Sequence, residues 1–331
     1  MVMKKSRVFL VAAILLTFAA INSSIWFTVT RKCANNFSDT SQLKMIDVAK
    51  YLPYEEGSYL AHVDTDIILE GDLPVLDGAA ALVPVYASVI ENIYPEGCVT
   101  YEGGVFDDNN LYGENFAEGS AMRYRNTIRG FNAVVDGSAD IFFTAHPSAD
   151  QMAYAEEQGV ELVLVPVGYE AFVFFVNTDN PVTDLTTDQI RSIYAGDITN
   201  WSEIGGPNLP INALTRVPGS GSQTMMDAFM GDTPIAPRRP ESVFGPGLGY
   251  SFRFYLSGMV SNPNVRMLNI NGVEPSIENI QNGTYPLVAQ FYIVYRADND
   301  NPNVQTVVDF LLSEDGAELI RQCGYTPLTA N

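Results

Sequence analysis

The sequence predicts an α/β protein preceded by an N-terminal transmembrane helix, and three observations carry this prediction. Apolar strand patterns alternate with capped helical patterns along most of the chain, as in an α/β sheet. The 331 residues are 47% hydrophobic, which suffices for a buried core and for about two domains. A long uncharged apolar run lies near the N-terminus.

The charge balance limits the partners of the chain. Eighteen Lys and Arg residues stand against 39 Asp and Glu residues, so the net charge is -21. Such an acidic protein is a poor match for sequence-independent binding to nucleic acid or to an acidic membrane surface. We therefore expect any bound anion to be held by local geometry and not by the overall field.

The first residues have the pattern of a signal anchor. Lys4, Lys5 and Arg7 precede a run from Val8 to Val29 that carries no charge and is long enough to cross a bilayer. The chain lacks a clear cleavage site there, and the cations of "TVTRKC" exclude a lipoprotein box. We predict an uncleaved anchor over residues 1–32 in the cell membrane, with the body outside; the alternative is a cleaved signal and a secreted protein.

Cysteines and histidines do not predict a metal site or a hydrolase. Cys33, Cys98 and Cys323 lack metal-ligand spacing and a CxxC pair, and we predict neither a metal nor another cofactor. Outside the cell, Cys98 and Cys323 either form a disulfide or remain two buried thiols. The chain has two histidines, His62 and His146, and no GxSxG motif, so a triad hydrolase is a poor interpretation.

The compact body is predicted to begin at Leu73, after a juxtamembrane spacer. "LPVLDG" is typical of a short strand, and "AAALVPVYASVIENI" is typical of a helix. A further helix is predicted to be capped by Thr127 and ended by Gly137, and a strand is predicted from Asp140 to Thr144.

The middle of the chain continues the alternation. "VELVLVPVG" and "EAFVFFVNT" predict two strands, the second buried on both faces. "TTDQIRSIYAG" predicts a helix that begins with a capping box of Thr186 and Gln189 and ends at Gly196. "PINALTR" predicts another strand, which leads into the stretch "RVPGSGSQT".

That stretch predicts an anion site. Ser220 and Gln223 have capping-box spacing, so a helix is expected from Ser222 to Met230, with Gly231 as its end. The positive end of this helix and its free amides would face an oxyanion in the loop. No lysine follows the glycines, so the loop does not match a Walker A motif.

Five segments occur in the order seen in one protein family: "LVPVGYEAFVFFVNTDNP", "LTTDQIRSIYAGDITNWSEIGG", "RVPGSGSQTMMDAF", "NGTYPLVAQFYIVYR" and "FLLSEDGAELIRQCGYTPL". Over roughly residues 73–328 the chain resembles the periplasmic-type phosphate-binding proteins of ABC transporters, and "YAGDITNW" with "RVPGSGS" is the most specific part. The resemblance implies a two-lobed type II periplasmic-binding-protein fold with a ligand cleft between the lobes. It also implies no enzymatic activity, and delivery of inorganic phosphate to permease subunits.

Carried over residue by residue, the phosphate ligands of that family fall on two groups of positions. In one lobe they are Ala80, Ala81 and Thr127, and in the other lobe Arg216, Ser220, Gly221 and Ser222. An arginine fork, hydroxyls and backbone amides are the donors that a phosphate dianion needs.

The chain departs from the family pattern at two positions. Ala80 stands where a hydroxyl residue is usual, and Ala145 stands where an aspartate would accept the proton of hydrogen phosphate. The loss of that acceptor puts phosphate selectivity in doubt, and the neighbouring His146 is an auxiliary candidate for the role.

Two further features have no assigned role. Arg123, Arg125 and Arg129 flank Thr127, either as a solvated helix start or as positive charge for the cleft. The acidic stretch 103–119 is longer than a simple connection needs, and either covers the cleft or contacts a partner.

The predicted organisation is an anchor (1–32), a spacer (33–72), lobe I (73–168 and 297–331) and lobe II (169–296). The chain would cross between the lobes near Val167–Val176 and Val288–Tyr295. Extracytoplasmic phosphate binding for an ABC transporter is the predicted function. A membrane-anchored sensor or adhesion module is the main alternative, and a phosphatase is a weaker one because a metal cluster and a nucleophile with its base are lacking.

Overall fold

The computed structural model describes residues 16–18, 20–23, 46–106, 112–240, 242, 245–260 and 262–328. The strands are β1 Leu76–Gly78, β2 Tyr101–Phe106, β3 Tyr112–Phe116, β4 Ile141–Ala145, β5 Leu162–Asn177, β6 Asp184–Leu185, β7 Asn212–Ala213, β8 Gly247–Phe252, β9 Val265–Met267, β10 Asn269–Ile270, β11 Val288–Arg296 and β12 Thr326–Pro327. The helices of the body are α1 Val83–Ile93, α2 Asn126–Asp136, α3 Ala149–Glu157, α4 Thr187–Ala195, α5 Gly221–Met230, α6 Ile277–Gln281, α7 Pro302–Leu311 and α8 Glu314–Gln322. Shorter helical turns lie at Val48–Tyr51, Ala80–Leu82 and Trp201–Ile204, and a π-helical turn lies at Tyr255–Val260.

A mixed sheet runs through the body in the order β1-β4-β11-β5-β8-β7, and β9 and β12 also pair with β5. The outer pairs β1–β4 and β7–β8 are parallel, whereas β11 and β5 introduce antiparallel pairing. The parallel pairs with their helices confirm the predicted α/β class.

β5 replaces two predicted strands with one. It runs for 16 residues without a turn at Gly168. A Cβ atom at Gly168 would lie 2.5 Å from the Phe291 ring and 2.7 Å from the carbonyl oxygen of Thr326. The glycine therefore permits close packing of neighbouring strands, and the prediction of a strand end there was wrong.

Two hydrophobic cores divide the body into two lobes. One core draws buried residues from Val48–Phe143, from Val167 and from Phe291–Tyr325. The other draws them from Ala171 to Tyr285. β5 contributes to both cores, and it changes partners from β11 to β8 between Ala171 and Phe172.

Helix termini follow the predicted signals in part. Thr186 and Gln189 form both contacts of a capping box, and Gly137 and Gly196 end their helices in the left-handed conformation. Thr127 is not a cap, because α2 already begins at Asn126, whose φ is 65°. Its hydroxyl donates to Asn126 Oδ1 at 3.4 Å.

The described part of the predicted spacer is packed against the first lobe. Val48, Tyr51 and Leu69 are buried in the core of that lobe. Ser88 Oγ, in α1, accepts a hydrogen bond from the Ala61 amide at 2.9 Å. From residue 46 onward the segment is thus part of the folded body, unlike the spacer expected over residues 33–72.

The described residues show the state of the two cysteines of the body and the structure of the stretch 103–119. Cys98 and Cys323 are free thiols, and burial raises the pKa of Cys323 to about 12. The stretch 103–119 contains parts of the antiparallel pair β2–β3 and is not a plain loop; residues 107–111 lie outside the described residues.

Within the described residues, no helix has the length and hydropathy needed to cross a membrane. The predicted anchor, residues 1–32, lies outside them except for the helical residues 16–18 and 20–23.

Candidate ligand-binding cleft

A cavity of about 450 Å³ lies between the two lobes. Ala80, Ala81 and Thr127 line it from the first lobe, and Arg216, Ser220, Gly221 and Ser222 line it from the second. The structure thus brings together seven positions that are spread over more than a hundred residues of sequence.

The second lobe presents the start of α5 to this cavity. Ser220 Oγ accepts the amide of Gln223 at 3.3 Å, whereas a helix leaves its other first-turn amides without intrahelical acceptors. Gln223 does not complete the predicted capping box, because its Oε1 accepts the backbone amide of Arg216 at 2.9 Å. Gln223 therefore joins the arginine to the helix start, which places charge and amides on one wall.

The Arg216 guanidinium is available for a ligand. Among the residues that the structure describes, no carboxylate lies within ion-pair distance of it. The Arg216 amide is also held by the Tyr250 hydroxyl at 3.1 Å. An arginine with a fixed backbone and no protein anion is suited to a forked contact with an oxyanion.

In the first lobe, Asp77 ties together the two cleft-lining segments. This carboxylate is fully buried and accepts the amides of Gly78 at 2.8 Å and Arg125 at 3.0 Å. The Arg125 guanidinium lies 3.3 Å from its other oxygen. Burial raises the pKa of Asp77 to about 6, although the bonds to Arg125 oppose this shift. Asp77 thus fixes the turn at Ala80 relative to Thr127.

The two walls approach each other closely at the anion loop. A Cβ atom built on Gly221 would lie 4.0 Å from Thr127 Oγ1 and 3.6 Å from the Phe252 ring. A Cβ atom on Gly219 would lie 3.4 Å from Ile128. Hydroxyl donors of one lobe therefore face backbone donors of the other across a few ångströms.

A model of the PBP superfamily domain matches residues 122–315, which is more than half of the chain. The chain belongs to the PBP superfamily.

Curated relatives of this superfamily member include Protein SphX of Synechococcus elongatus, 27% identical over 295 residues that cover 78% of this chain and 87% of that protein. Phosphate-binding protein PstS of Bacillus subtilis is 28% identical over 209 residues, covering 60% of this chain and 65% of that protein.

A putative phosphate ABC transporter substrate-binding protein from Clostridium perfringens, solved with bound phosphate, has a TM-score of 0.57 at 20% identity and covers 78% of this chain and 100% of that one. The last likeness supports the two-lobed PBP-like fold.

The PBP-superfamily cleft of this chain also contains residues that sequence reasoning missed. Asp47 and Lys50 line it from the turn at Val48–Tyr51, and Tyr255 and Met259 line it from the π-helical turn. Lys50 is the last Lys or Arg before Arg123, which was a usable signal, and "FRFYLSGMV" continues mostly apolar beyond the length of a strand.

The auxiliary candidates lie beside the cavity and do not line it. Ala145 is 5% exposed and packs with Ala81 and Phe252 in a small apolar cluster. His146 is exposed, and its Nδ1 lies 2.8 Å from the Pro147 carbonyl oxygen, which can only accept. Nδ1 therefore carries the proton and points at the backbone.

The arginines near Thr127 have other contacts. Arg123 donates to the carbonyl oxygen of Phe116, and Arg125 pairs with Asp77. Arg129 Nε donates to the Arg125 carbonyl oxygen at 3.3 Å. None of these three side chains lines the cavity, so among the residues that the structure describes the cations on its walls are Arg216 and Lys50.

Proposed function

We propose that this protein binds inorganic phosphate in the interlobe cleft, outside the cytoplasm, and delivers it to an ABC transporter without chemical turnover. The observation that carries the proposal is the position of Arg216 and the start of α5 opposite Thr127 and the Ala80–Ala81 turn in one cavity. The phosphate-binding proteins of Bacillus subtilis and Clostridium perfringens that the chain resembles support phosphate as the anion.

The proposed donor groups contribute different kinds of interaction with the anion. Arg216 supplies charge and a planar fork, Ser220, Ser222 and Thr127 supply hydroxyls, and the first-turn amides of α5 supply dipoles aimed at the anion. The backbone of Ala80 and Ala81 supplies the donors that their side chains lack. Such a closed set of donors replaces the hydration shell of a dianion despite the net charge of -21.

Lobe I (73–168 and 297–331) would close on lobe II (169–296), in the manner of a type II binding protein. β5 and β11 would act as the crossings. Closure would dehydrate the anion and present a changed surface to permease subunits. Residues 1–32 would hold the protein at the membrane as a single anchor.

Removal of the arginine charge tests the binding site. We expect Arg216→Ala to weaken phosphate binding by about 3 kcal/mol or more, because it removes a charge-assisted fork from a buried anion. Titration calorimetry of residues 46–331 with inorganic phosphate at neutral pH measures this change.

Arg129→Ala is the matched control, because Arg129 is exposed on α2, close to Thr127, and does not line the cavity. Its phosphate affinity should equal that of the natural protein. Equal affinity in the Arg216 variant would place the phosphate elsewhere, and release of phosphate from a phosphomonoester would contradict binding without turnover.

A further inference from the structure

The cleft has more room than a phosphate ion needs. Its volume of about 450 Å³ falls in the range of roughly 300–1,000 Å³ that is usual for clefts holding organic ligands. A phosphate ion has only five non-hydrogen atoms, one phosphorus and four oxygens.

The additional room has an apolar wall next to the anion loop. Phe252, Tyr255 and Met259 line it together with Leu256. The Phe252 ring lies close to Gly221, 3.6 Å from the position of a Cβ atom there. Any group attached to a phosphorus atom held by Arg216 and the α5 start would therefore have an aromatic surface beside it.

The Phe252, Leu256 and Met259 side chains of this wall carry no oxygen or nitrogen that could accept the proton of hydrogen phosphate. Ala145 packs with Ala81 and Phe252 in the adjoining apolar cluster. Carboxylate and amide oxygens lie on other parts of the cleft, where Asp47 Oδ1 accepts the Ala49 amide at 2.9 Å and Asn126 Oδ1 accepts the Thr127 amide at 2.7 Å.

A substituted phosphoryl dianion removes the need for that acceptor. In a phosphate monoester or a phosphonate, the P–OH group of hydrogen phosphate is replaced by P–O–C or P–C, and the second pKa of a monoester lies near 6. Above that pH the three remaining oxygens accept donors only, which matches a site of arginine, hydroxyls and amides.

We infer that the cleft takes a monosubstituted phosphoryl dianion, a phosphate monoester or a phosphonate, whose apolar substituent packs on Phe252 and Tyr255. The inference rests on the proposed function, because it uses the same anion loop. The oxygens would occupy the Arg216 and α5 wall, and the substituent would take the position that an acceptor and its proton would otherwise occupy.

Phenylphosphonate is a suitable probe, because its P–C bond releases no inorganic phosphate. In calorimetry at about pH 8, where the dianion is the main form of the probe, we expect it to bind at least as tightly as inorganic phosphate. Phe252→Ala should weaken phenylphosphonate binding, through lost apolar contact, at least about tenfold more than it weakens phosphate binding. If the Phe252 variant does not fold, Tyr255→Ala replaces it, because Tyr255 is less buried. It should lower the ratio of phenylphosphonate affinity to phosphate affinity in the same direction.

Ala145→Asp tests the inference from the opposite direction, since a carboxylate beside Ala81 should repel the substituted dianion and favour phosphate. Phenylphosphonate binding more than about a hundredfold weaker than phosphate, a gap of nearly 3 kcal/mol, would overturn the inference and leave the proposed function intact. Tight phenylphosphonate binding that survives Arg216→Ala would also overturn it. Binding of phenylphosphonate but not phosphate would overturn the proposed function alone, and binding of neither would overturn both.

Discussion

Ala145 stands where the family pattern predicts an aspartate, and we expect this difference to affect which anion the cleft prefers. It ends β4 in a cluster with Ala81 and Phe252, so the apolar surface continues up to the anion loop. A cleft built of donors does not distinguish a protonated oxyanion from a bare one, because discrimination needs an acceptor that the proton satisfies.

We expect Ala145→Asp to increase the preference for phosphate over sulfate by about 1–2 kcal/mol, the scale of one hydrogen bond to a charged group. Competition of sulfate against phosphate at a fixed pH near 7 measures this preference in both proteins. If the natural protein already excludes sulfate and the variant gains no preference, another residue supplies the acceptor. Asp47 lines the cavity, so the same competition with Asp47→Asn would show whether Asp47 is that residue.

Residues that a local motif or the family pattern indicated lie together on the walls of the cleft. Arg216, Ser220, Gly221 and Ser222 lie within one short stretch, and the cavity contains all four. Lys50 and Tyr255 were missed because only the tertiary fold brings Val48–Tyr51 and the π-helical turn to the cleft. The assignment of these residues as ligands stays a prediction that the variants above test.

At the scale of elements, the start of α5 has a structural role and a proposed binding role. Ser220 Oγ caps the helix and lines the cavity. We expect Ser220→Ala to lower the free energy of unfolding by about 1 kcal/mol through loss of the cap, and to weaken phosphate binding as well. Urea unfolding and calorimetry measure the two effects on the same samples.

Ser276 provides the matched control, since it caps α6 by accepting the Asn279 amide at 3.2 Å and does not line the cleft. Ser276→Ala should reduce stability by a similar amount and leave phosphate affinity unchanged. Equal affinity losses in both variants would show that Ser220 acts through stability alone.

Elements were predictable where the signal is local. The capping box of α4 and the glycines that end α2 and α4 depend on neighbouring residues, and these predictions were right. The unbroken course of β5 depends on Phe291 and Thr326, which contact Gly168 from distant parts of the chain. A glycine that permits close packing and a glycine in a turn cannot be distinguished by sequence alone.

At the scale of the whole molecule, Glu170 lies where the two lobes join. It is 4% exposed and precedes the point at which β5 changes partners. Its carboxylate accepts the amides of Ala171 at 2.8 Å and Phe254 at 3.3 Å. Burial raises its pKa to about 7, although the charge of Arg253 and these bonds oppose the shift.

The raised pKa predicts a pH-dependent stability. Between the ordinary value of 4.5 and about 7, the folded protein binds a proton that the unfolded chain releases. The free energy of unfolding therefore falls as pH rises through this window, by on the order of 3 kcal/mol if Glu170 acted alone. Asp77, with a pKa raised to about 6, adds a fall of the same sign at lower pH.

We expect Glu170→Gln, which resembles the protonated form, to remove most of the fall between about pH 6 and 8 and to leave the contribution of Asp77. Urea unfolding at pH 5, 6, 7 and 8 measures this dependence. A variant whose stability declines with pH as steeply as that of the natural protein would show that Glu170 is ionised in the fold throughout this range.

Because β12 pairs with β5, the first core is completed later in synthesis than the second core. All buried residues of the second core have been made by Tyr285, whereas the first core also needs Phe291–Tyr325. Tyr325 donates its hydroxyl to the carbonyl oxygen of Ala81, so one wall of the cleft receives support from a residue that is made after the whole second core. A growing chain can therefore bury the second core early. The anion loop then forms before the wall of the first lobe that faces it.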